Sequence, residues 1–349
     1  MELPVELRNG IDSLLSGFSA EELKKISRQL TDRYKNDSGR GNVLVSRDVE
    51  SRVYAAVRMP ATFGAISDAL TYVQECMPET QIRTVLDVGA GSGSGAWAVE
   101  EIFSPEHITC LEREESMRSV GNALLRESSV LSEKTSWAQF DLSRDPLGNE
   151  SPSDPSYPSD PSDSSDSSDS SGQPCTADLV LASYMLNEFS KESREKAIRK
   201  LWNAADRILL IVEPGTKEGF AVISQVRDIL LSQGAHLLAP CPHEGPCRLS
   251  DDDWCHFTCR VQRSKLHKLL KEGDVPYEDE KYSYIAFSKE EGERAQARIL
   301  RHPYITKGQI DLEICGREKN GKVTLRKKDE AYKAARKAKM GDAISNISL

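Results

Sequence analysis

The spacing of hydrophobic residues along the chain changes after Thr80. Before this point, apolar side chains recur every three or four positions, as at Ile26 and Leu30, which is the period of a helix with one buried face. Residues 1–80 are therefore predicted to form a helical N-terminal region. Pro60 predicts a joint between two of its helices, because the residue before a proline disfavours helical geometry.

Beyond Thr80, short apolar runs alternate with helical patterns. The runs are apolar at nearly every position, so the strands are expected to be covered on both faces, as in a parallel sheet. Their alternation with helices predicts an α/β fold. The predicted strands are Thr84–Val88, Ile108–Leu111, Trp137–Phe140, Asp178–Ser183 and Ile208–Val212, and the predicted helices are Ala96–Ile102, Met117–Glu127, Lys191–Ala205 and Gly219–Gln233.

Three more strands are predicted near the C-terminus. Tyr282–Phe287 would be a sixth strand of the sheet. Ile310–Ile314 and Lys322–Leu325 are predicted to form a hairpin, because the segment between them ends in Asn320 and Gly321, a common turn pair.

A low-complexity segment, residues 144–174, separates the third predicted strand from the fourth. Within it, Ser151–Ser171 holds five Asp, no Lys or Arg, and otherwise almost only Ser and Pro. Such a composition buries too little apolar surface to offset the entropy lost on ordering. The segment is predicted to be a disordered, solvated loop.

The composition of the chain predicts where the protein is located and whether its cysteines are reduced. The chain has a formal charge of −9 and no apolar run of about 18 residues, so no membrane association is expected. Its first residues match neither a secretory signal nor an Arg-rich mitochondrial presequence, so a cytoplasmic location is expected. There the eight Cys stay reduced, and clustered Cys indicate metal binding. None of these features predicts an oligomeric state.

The glycine-rich segment after the first strand predicts a nucleotide-binding loop. Gly89, Ala90, Gly91 and Gly93 precede a helix, where glycine lets the backbone approach a ligand and the helix start offers unpaired N–H groups. Dinucleotide enzymes have a similar loop. Here an acid, Asp87, precedes the glycines, where it can meet the ammonium group of S-adenosylmethionine.

Residues at three further strand ends extend this prediction. Glu112 ends the second strand, where a carboxylate can accept both ribose hydroxyls, and Asp141 follows the third, near an adenine amine. Ser183 ends the fourth. These spacings resemble class I S-adenosylmethionine-dependent methyltransferases, whose Rossmann-like fold is the predicted fold class. The alternative is that the acids only cap the ends of strands.

No catalytic residue is assigned from the sequence. Methyl transfer from a sulfonium needs mainly alignment, and a base only when the acceptor is protonated. Ser183–Glu188 lacks the Asn/Asp-Pro-Pro-aromatic motif that cradles a base amino group. Asn187, Glu188 and Glu213–Thr216 are candidates for the acceptor side of the site, or else a helix start and a plain turn.

A cysteine-rich insertion, residues 239–260, predicts a metal site. It places four Cys within nineteen residues and is rich in Pro and Gly, which pack poorly by themselves. Neither a zinc-ribbon pair nor a ferredoxin run is present, so spacing leaves zinc and iron–sulfur open. Beside Cys241, Cys247 and Cys255, the candidates for a fourth ligand are Cys259, His243, His256 and the more distant Cys315.

Several short motifs together match one known family. They are Tyr54–Thr62, Leu86–Gly91, Ala182–Glu188, Val212–Thr216, Pro240–His243, Trp254–Phe257 and the basic Tyr332–Lys339. In this combination the chain resembles the methyltransferase-like (Rsm-type) assembly factors of the small ribosomal subunit found in mitochondria and bacteria. The resemblance covers most of the chain outside the Ser/Asp segment.

The resemblance implies binding to the small ribosomal subunit and its rRNA, together with binding of S-adenosylmethionine. It also implies a four-iron, four-sulfur (4Fe-4S) cluster. The family's cluster ligands map onto Cys241, Cys247, Cys255 and Cys315, which leaves Cys259 outside the set. Zinc is the alternative metal.

The C-terminal segment independently favours RNA binding. Arg317–Lys339 carries ten Lys or Arg and three Asp or Glu, and Asp329–Met340 is predicted to be a basic helix. Such a segment suits contacts with phosphates, although a solvated helix face has the same composition.

These patterns predict five segments and one principal function. The function is an rRNA-binding assembly or translation factor of the small ribosomal subunit. The alternatives are an active rRNA methyltransferase and a zinc-bearing methyltransferase of a small-molecule or protein acceptor. The segments are a helical region (1–80), a methyltransferase-like domain (81–238), the Cys-rich insertion (239–260), completing strands and an extension (261–328), and a basic tail (329–349).

Overall fold

The computed structural model describes residues 1–37, 47–148, 176–250 and 252–345. Most of the predicted Ser/Asp loop lies outside these residues. A central sheet within them contains eight strands. These are β1 (Thr84–Val88), β2 (His107–Glu112), β3 (Thr135–Gln139), β4 (Ala177–Ser183), β5 (Ala205–Pro214), β6 (His236–Ala239), β7 (Phe257–Gln262) and β8 (Tyr277–Ser288).

The strand order is β3-β2-β1-β4-β5-β8-β6, with β7 paired to the first half of β8. Strands β1 to β5 run parallel, and β8 runs antiparallel between β5 and β6. The direction of winding reverses between β1 and β4, which opens a crevice at their carboxyl ends. This order, with one antiparallel strand next to the last position, is that of the class I methyltransferase fold, so the predicted fold class is confirmed.

Helices cover both faces of the sheet, as the apolar strands predicted. One apolar cluster joins the sheet to the N-terminal helices and includes Ile66 and Leu124, and a second includes Leu201 and Val226 on the other face. No helix of the described ranges has the length and apolarity to cross a membrane. The helices are α1 (Val5–Leu14), α2 (Ala20–Asp37), α3 (Asp48–Cys76), α4 (Ser94–Phe103), α5 (Glu115–Leu125), α6 (Ser129–Lys134), α7 (Lys191–Ala204), α8 (Lys217–Ser232) and α9 (Lys265–Lys271).

The joint predicted at Pro60 is wrong, because α3 runs without interruption through this proline. A proline inside a helix costs about 3 kcal/mol. Met59, Phe63, Ile66 and Leu70 of α3 are each at most 1% exposed. Burial of such side chains contributes roughly 1.5–3 kcal/mol each, so tertiary packing outweighs the local cost.

A second, smaller sheet follows β8 and has its own apolar core. Its longest strand pairs with one strand along one edge and with two short strands on the other. The elements are β9 (Ala297–Ile299), β10 (Tyr304–Thr306), β11 (Gln309–Gly316), β12 (Asn320–Arg326), α10 (Tyr332–Ala335) and β13 (Ala343–Ile344).

Two predictions about this region need correction. Asn320 and Gly321 lie inside β12, and the chain reverses just before them, where the N–H of Gly316 donates to the carbonyl of Lys319. The predicted basic helix is only the short α10. Its continuation folds back instead, because Met340 is buried and Lys339 pairs with Asp68 of α3 at 2.6 Å.

Candidate functional site

The predicted glycine loop connects β1 to α4 at the carboxyl edge of the sheet. Gly89, Gly91 and Gly93 have φ angles of +70°, +56° and +86°, which residues with a Cβ atom rarely adopt. The N–H groups of Gly89 and Ala90 donate to the carbonyl of Leu111 at 2.8 and 3.0 Å, which ties the loop to β2. The loop thereby forms one wall of a cleft of about 1130 Å³, mouth included.

Glu112 lies where the sequence predicted a ribose-binding carboxylate, at the end of β2 and on the wall of the cleft. Its Oε2 accepts from the N–H of Gly91 and its Oε1 from the N–H of Glu114, both at 2.8 Å. Burial raises the pKa of this carboxyl, and the two hydrogen bonds oppose that effect. Each oxygen keeps a second lone pair, so the fixed carboxylate can still accept ligand hydroxyls.

The ends of β3 and β4 bring Asp141 and Ser183 to the same cleft. Oδ1 of Asp141 accepts from the N–H of Ser143 at 3.0 Å and from its hydroxyl at 2.6 Å. Partial burial opposes ionisation, but these hydrogen bonds and the charge of Arg113 outweigh it and lower the pKa of Asp141. Three of the four predicted side chains at strand ends therefore surround one cavity with the glycine loop.

Asp87 occupies a different position from the one expected. It is 1% exposed and does not line the cleft. Its carboxylate lies beneath the first turn of α4, where a Cβ on Gly95 would come within 2.3 Å of Oδ2. Neither oxygen has a hydrogen-bond partner among the described residues, and burial, followed by the charge of Glu112, raises the pKa of Asp87 to about 7. The glycine loop is thus backed by a buried, unpartnered carboxylate.

Helix α3 supplies a wall of the cleft that was not predicted from the sequence. Arg58 of α3 donates to Oε1 of Glu280 on β8 at 3.2 Å, and the hydroxyl of Tyr184 donates to the same oxygen at 3.2 Å. The guanidinium also lies 5.9 Å from the centre of the Tyr184 ring. The available signal was the family motif over residues 54–62. The residues of α3 that line the cleft are Tyr54, Arg58, Met59 and Thr62.

The residues predicted for the methyl-acceptor side of the site occupy different positions relative to the cleft. Glu188 lines the cleft, and burial raises the pKa of its carboxyl. Glu213 does not line it, because this side chain is fully buried and accepts from the N–H of Leu186 at 2.8 Å. Burial raises the pKa of Glu213 to about 8. Glu213 therefore supports the short 3₁₀ turn Leu186–Glu188 from below.

Four cysteines line a second cavity, of about 620 Å³ with its mouth included. Cys241 follows β6, Cys255 precedes β7, Cys315 lies on β11, and Cys247 is in the loop between the first two. They are the four that the family resemblance implied as ligands. Burial raises the pKa of Cys241, Cys255 and Cys315 (the last to about 12), and neighbouring thiols of the set add to the effect.

Of the other candidates for a fourth metal ligand, only His243 lines the cysteine cavity. Cys259 is 4% exposed on β7, and its Sγ would be 3.1 Å from a Cβ on Gly64 of α3, outside the cavity. His256 also lies outside the cavity lining and packs on Trp254. His243 lines the cavity, with its Nε2 3.8 Å from Sγ of Cys315. In the described part of the chain, no three His, Cys, Asp or Glu side chains converge as ligands of a single metal ion.

Two buried arginines also line the cysteine cavity. Arg298, 2% exposed, donates to the carbonyls of Pro240 and Gly341 at 3.1 and 3.0 Å. Arg227, 7% exposed, donates to the carbonyls of loop residues 243 and 245. The carboxylate nearest to Arg227 is that of Asp228 at 4.0 Å, on a side chain 81% exposed to solvent. Two positive charges therefore face four thiols.

The positive charge of the C-terminal segment is at the surface. Every Lys and Arg between residues 317 and 339 is exposed, although Lys339 is also engaged by Asp68. The exposed set is Arg317, Lys319, Lys322, Arg326, Lys327, Lys328, Lys333, Arg336, Lys337 and Lys339.

Comparison with family models gives one match across most of the chain. The model described as Mitochondrial small ribosomal subunit Rsm22 matches residues 48–345. The matched range contains the central sheet, the cysteine cavity and the C-terminal sheet, so the family resemblance found in the sequence is confirmed.

Two curated relatives are similar over most of this chain. The human mitochondrial ribosome assembly protein METTL17 is 25% identical over 312 residues, which cover 84% of this chain and 62% of the relative. Rsm22-cox11 tandem protein 2 of Schizosaccharomyces pombe, also mitochondrial, is 22% identical over 347 residues, which cover 84% of this chain and 43% of the relative. The chain thus spans about three fifths of one relative and less than half of the other.

Solved structures of similar proteins include two methyltransferases. Magnesium protoporphyrin IX methyltransferase of Synechocystis, solved with bound SAM, is 14% identical with a TM-score of 0.41, covering 74% of this chain and 91% of its own. A SAM dependent methyltransferase of Aquifex aeolicus is 12% identical with a TM-score of 0.40, covering 70% and 98%.

The cytoplasmic location expected from the sequence is wrong on these comparisons. The matched family is described as mitochondrial, and so are the human and fission yeast relatives. The expectation depended on the composition of the first residues, which is weaker information than a family match over residues 48–345.

Replacing Asp87 with Asn is expected to reduce the loss of stability at rising pH. The folded-state pKa of Asp87, about 7, lies above its ordinary value of 3.8, so the protonated carboxyl stabilises the fold. That contribution is complete below about pH 4 and is lost as pH rises through about 7. Between about pH 5 and pH 8, the free energy of unfolding should fall by roughly 1–3 kcal/mol more in the wild type than in Asp87→Asn, as measured by urea unfolding.

The control is Asp12→Asn, at an exposed position of α1. It should keep the pH dependence of the wild type. Equal pH dependence in Asp87→Asn and the wild type would show that Asp87 does not carry this titration.

Proposed function

The chain belongs to the mitochondrial small ribosomal subunit Rsm22 family, and we propose that it is a mitochondrial assembly factor of the small ribosomal subunit that binds rRNA. The family match over residues 48–345 is the observation that carries the proposal. The similarity to a human protein named as a mitochondrial ribosome assembly protein supports it.

S-adenosylmethionine is the proposed ligand of the cleft. The glycine loop lets the backbone come close to a ligand, and the carboxylate of Glu112, which Gly91 fixes in place, offers the acceptors that the hydroxyls of a nucleoside need. The unpartnered carboxylate of Asp87 favours a cationic ligand in front of the loop. When bound, S-adenosylmethionine supplies a methyl group activated on a sulfonium. The residues of this chain bind and orient it, while the Arg58–Glu280–Tyr184 contacts keep α3 against the cleft.

Glu112→Ala should weaken binding of S-adenosylmethionine by about 10-fold or more, because a hydrogen bond to a charged acceptor contributes roughly 1.5–3 kcal/mol. Isothermal titration calorimetry on the purified chain measures this effect. Glu101→Ala, at an exposed position of α4, is the matched control and should bind like the wild type. Unchanged affinity in Glu112→Ala would remove Glu112 from the proposed site.

An iron–sulfur cluster is the proposed occupant of the cysteine cavity. Four thiolates around a core of charge +2 leave two negative charges, which Arg227 and Arg298 would balance. Zinc would leave the same charge, but it needs all ligands within about 2.3 Å of one point. A four-iron cluster places each Cys on a different iron, which suits four Cys that line one cavity from different elements. The proposed ligands are Cys241, Cys247, Cys255 and Cys315.

Protein purified without oxygen is expected to contain about four iron and four sulfide per chain and to absorb near ~400 nm. Cys255→Ser and Cys315→Ser should lose most of the iron and the absorption. Cys259→Ser is the matched control, since this cysteine is buried outside the cavity, and it should keep both. One zinc per chain without sulfide would overturn the cluster and favour the zinc-bearing alternative.

RNA is the proposed partner of the C-terminal segment. The exposed Lys and Arg side chains of residues 317–339 form a surface suited to phosphate contacts, whose strength falls as salt concentration rises. The rRNA of the small ribosomal subunit is the RNA that the family match favours.

The proposed function predicts co-sedimentation with small ribosomal subunits. Tagged protein in mitochondrial lysate should sediment with small subunits or their precursors on a sucrose gradient, and its depletion should reduce mature small subunits while large subunits form. A protein that remains in the light fractions, with small subunits unchanged on depletion, would overturn the proposal. Raising the salt concentration should release the protein, because the proposed contacts are mainly with phosphates.

A further inference from the structure

The outer end of the C-terminal sheet exposes two large apolar side chains. Tyr304 is 68% exposed and Ile305 is 49% exposed, and both lie in the edge strand β10. Ile305 is opposite Ile310, which belongs to the core of this sheet, and Tyr304 is opposite Asp311 on the other face. Side chains alternate between faces in a strand, so the Tyr304 ring stands on the face away from the core.

Four exposed cations lie at the same end of the sheet. Lys307 lies in the turn after β10, Arg326 ends β12, and Lys327 and Lys328 follow it. Gln309 pairs with Arg326 on one side and with Thr306 on the other, so the end of β12 lies beside the turn after β10. The Lys327 side chain crosses this turn, with its Cε 3.7 Å from where a Cβ on Gly308 would stand.

The acids nearest to this surface are engaged elsewhere or bonded to its backbone, and the carboxylate of Asp329 accepts from the N–H of Arg326 at 2.7 Å. The salt bridges of the described ranges include none of its four cations, and Asp311 and Glu313 on the same sheet face are engaged by other side chains. Asp311 accepts from Gln309 at 3.0 Å and also from the Thr324 hydroxyl, and Glu313 pairs with Lys322 at 2.8 Å. We call the surface formed by Tyr304, Lys307, Arg326, Lys327 and Lys328 the tip patch.

We propose that the tip patch binds an unpaired segment of RNA, with one base stacked on Tyr304 and the flanking phosphates contacted by its four cations. The inference rests on the proposed function, from which it takes RNA as the partner. An exposed aromatic ring among Lys and Arg is the arrangement that proteins use to hold single strands, since every base offers a face for stacking.

An unpaired segment fits better than a duplex. In an RNA helix both faces of each base are covered by its neighbours, so a protruding ring finds no face to stack on. Cations alone would contact the phosphates of either form, so it is Tyr304 that should distinguish them. The tip patch therefore predicts a preference for loops, bulges and ends of rRNA.

Fluorescence anisotropy with the whole purified chain tests the inference. The probe is a labelled RNA of about 12 nucleotides in mixed sequence, offered as a single strand or annealed to its complement. The wild type should bind the single strand about 10-fold more tightly than the duplex. Tyr304→Ala should lose about 10-fold in single-strand affinity, while Tyr304→Phe should stay close to the wild type.

Two further variants separate stacking from other effects. Tyr277→Ala is the matched control, because Tyr277 is 38% exposed but Arg260 covers its ring at 4.0 Å. It should bind like the wild type. The double variant Lys327→Gln, Lys328→Gln should weaken both RNA forms and reduce the dependence of affinity on salt by about one or two phosphate contacts.

Three outcomes would overturn the inference. The first is an affinity of Tyr304→Ala for the single strand equal to that of the wild type. The second is equal affinity of the wild type for single strand and duplex. The third is competition by an acidic polypeptide that is as strong as competition by RNA, because the tip patch would then be a protein-docking surface. Co-sedimentation distinguishes this failure from failure of the proposed function. If Tyr304→Ala still co-sediments with small subunits like the wild type and binds RNA normally, only the tip patch is wrong; if the wild type does not co-sediment, the proposed function fails.

Discussion

The position of the sites depends on one constraint, the direction in which the strands of the central sheet run. Strands β1 to β5 are parallel, so their carboxyl ends meet at one edge of the sheet. The antiparallel β8 between β5 and β6 returns β6 to the same direction, and the loop that holds Cys241 leaves from this same edge. Strand β7 pairs with the part of β8 that extends past the end of β5, which brings Cys255 there as well. A single sheet edge thus organises the cleft and the cysteine cavity.

Buried charge gives the cysteine cavity its chemical character. An isolated charge in a protein interior costs several kcal/mol, and hydrogen bonds to carbonyls offset only part of that cost. Arg298 and Arg227 nevertheless lie almost fully buried beside four thiols, bonded to carbonyls of the surrounding loops. Arg298 pairs across the strands with Cys315, so the same contact that brings a cysteine to the cavity brings a positive charge. The two arginines give this cavity a positively charged lining that an ordinary apolar core lacks.

Local signals in the sequence were overruled wherever long-range packing was stronger. Pro60 predicts a break, but the buried face of α3 keeps the helix continuous. Asn320 and Gly321 predict a turn, but the register that keeps Leu312 and Val323 in the core of the small sheet shifts the reversal to the preceding residues. The basic residues after Asp329 suggest a solvated helix, but Lys339 and Met340 anchor the segment to the helical face of the larger domain. Each of these outcomes depends on partners distant in sequence.

The sequence by itself determined the α/β class, the succession of five parallel strands along the chain and the presence of a glycine loop followed by acids at strand ends. These features depend on the local period of apolar residues and on residues that lie within a few positions of one another. Only the tertiary structure decided that Asp87 lies behind the loop and that α3 closes the cleft. It also places Cys315 at the cysteine cavity, as the family resemblance implied, and not Cys259, which spacing along the chain left equally open. Cys259 is four residues from Cys255, but successive strand positions carry it towards α3, whereas pairing of distant strands brings Cys315 to the cavity. Distance along the chain and distance in space are related inside a helix or strand, and only packing between elements relates them elsewhere.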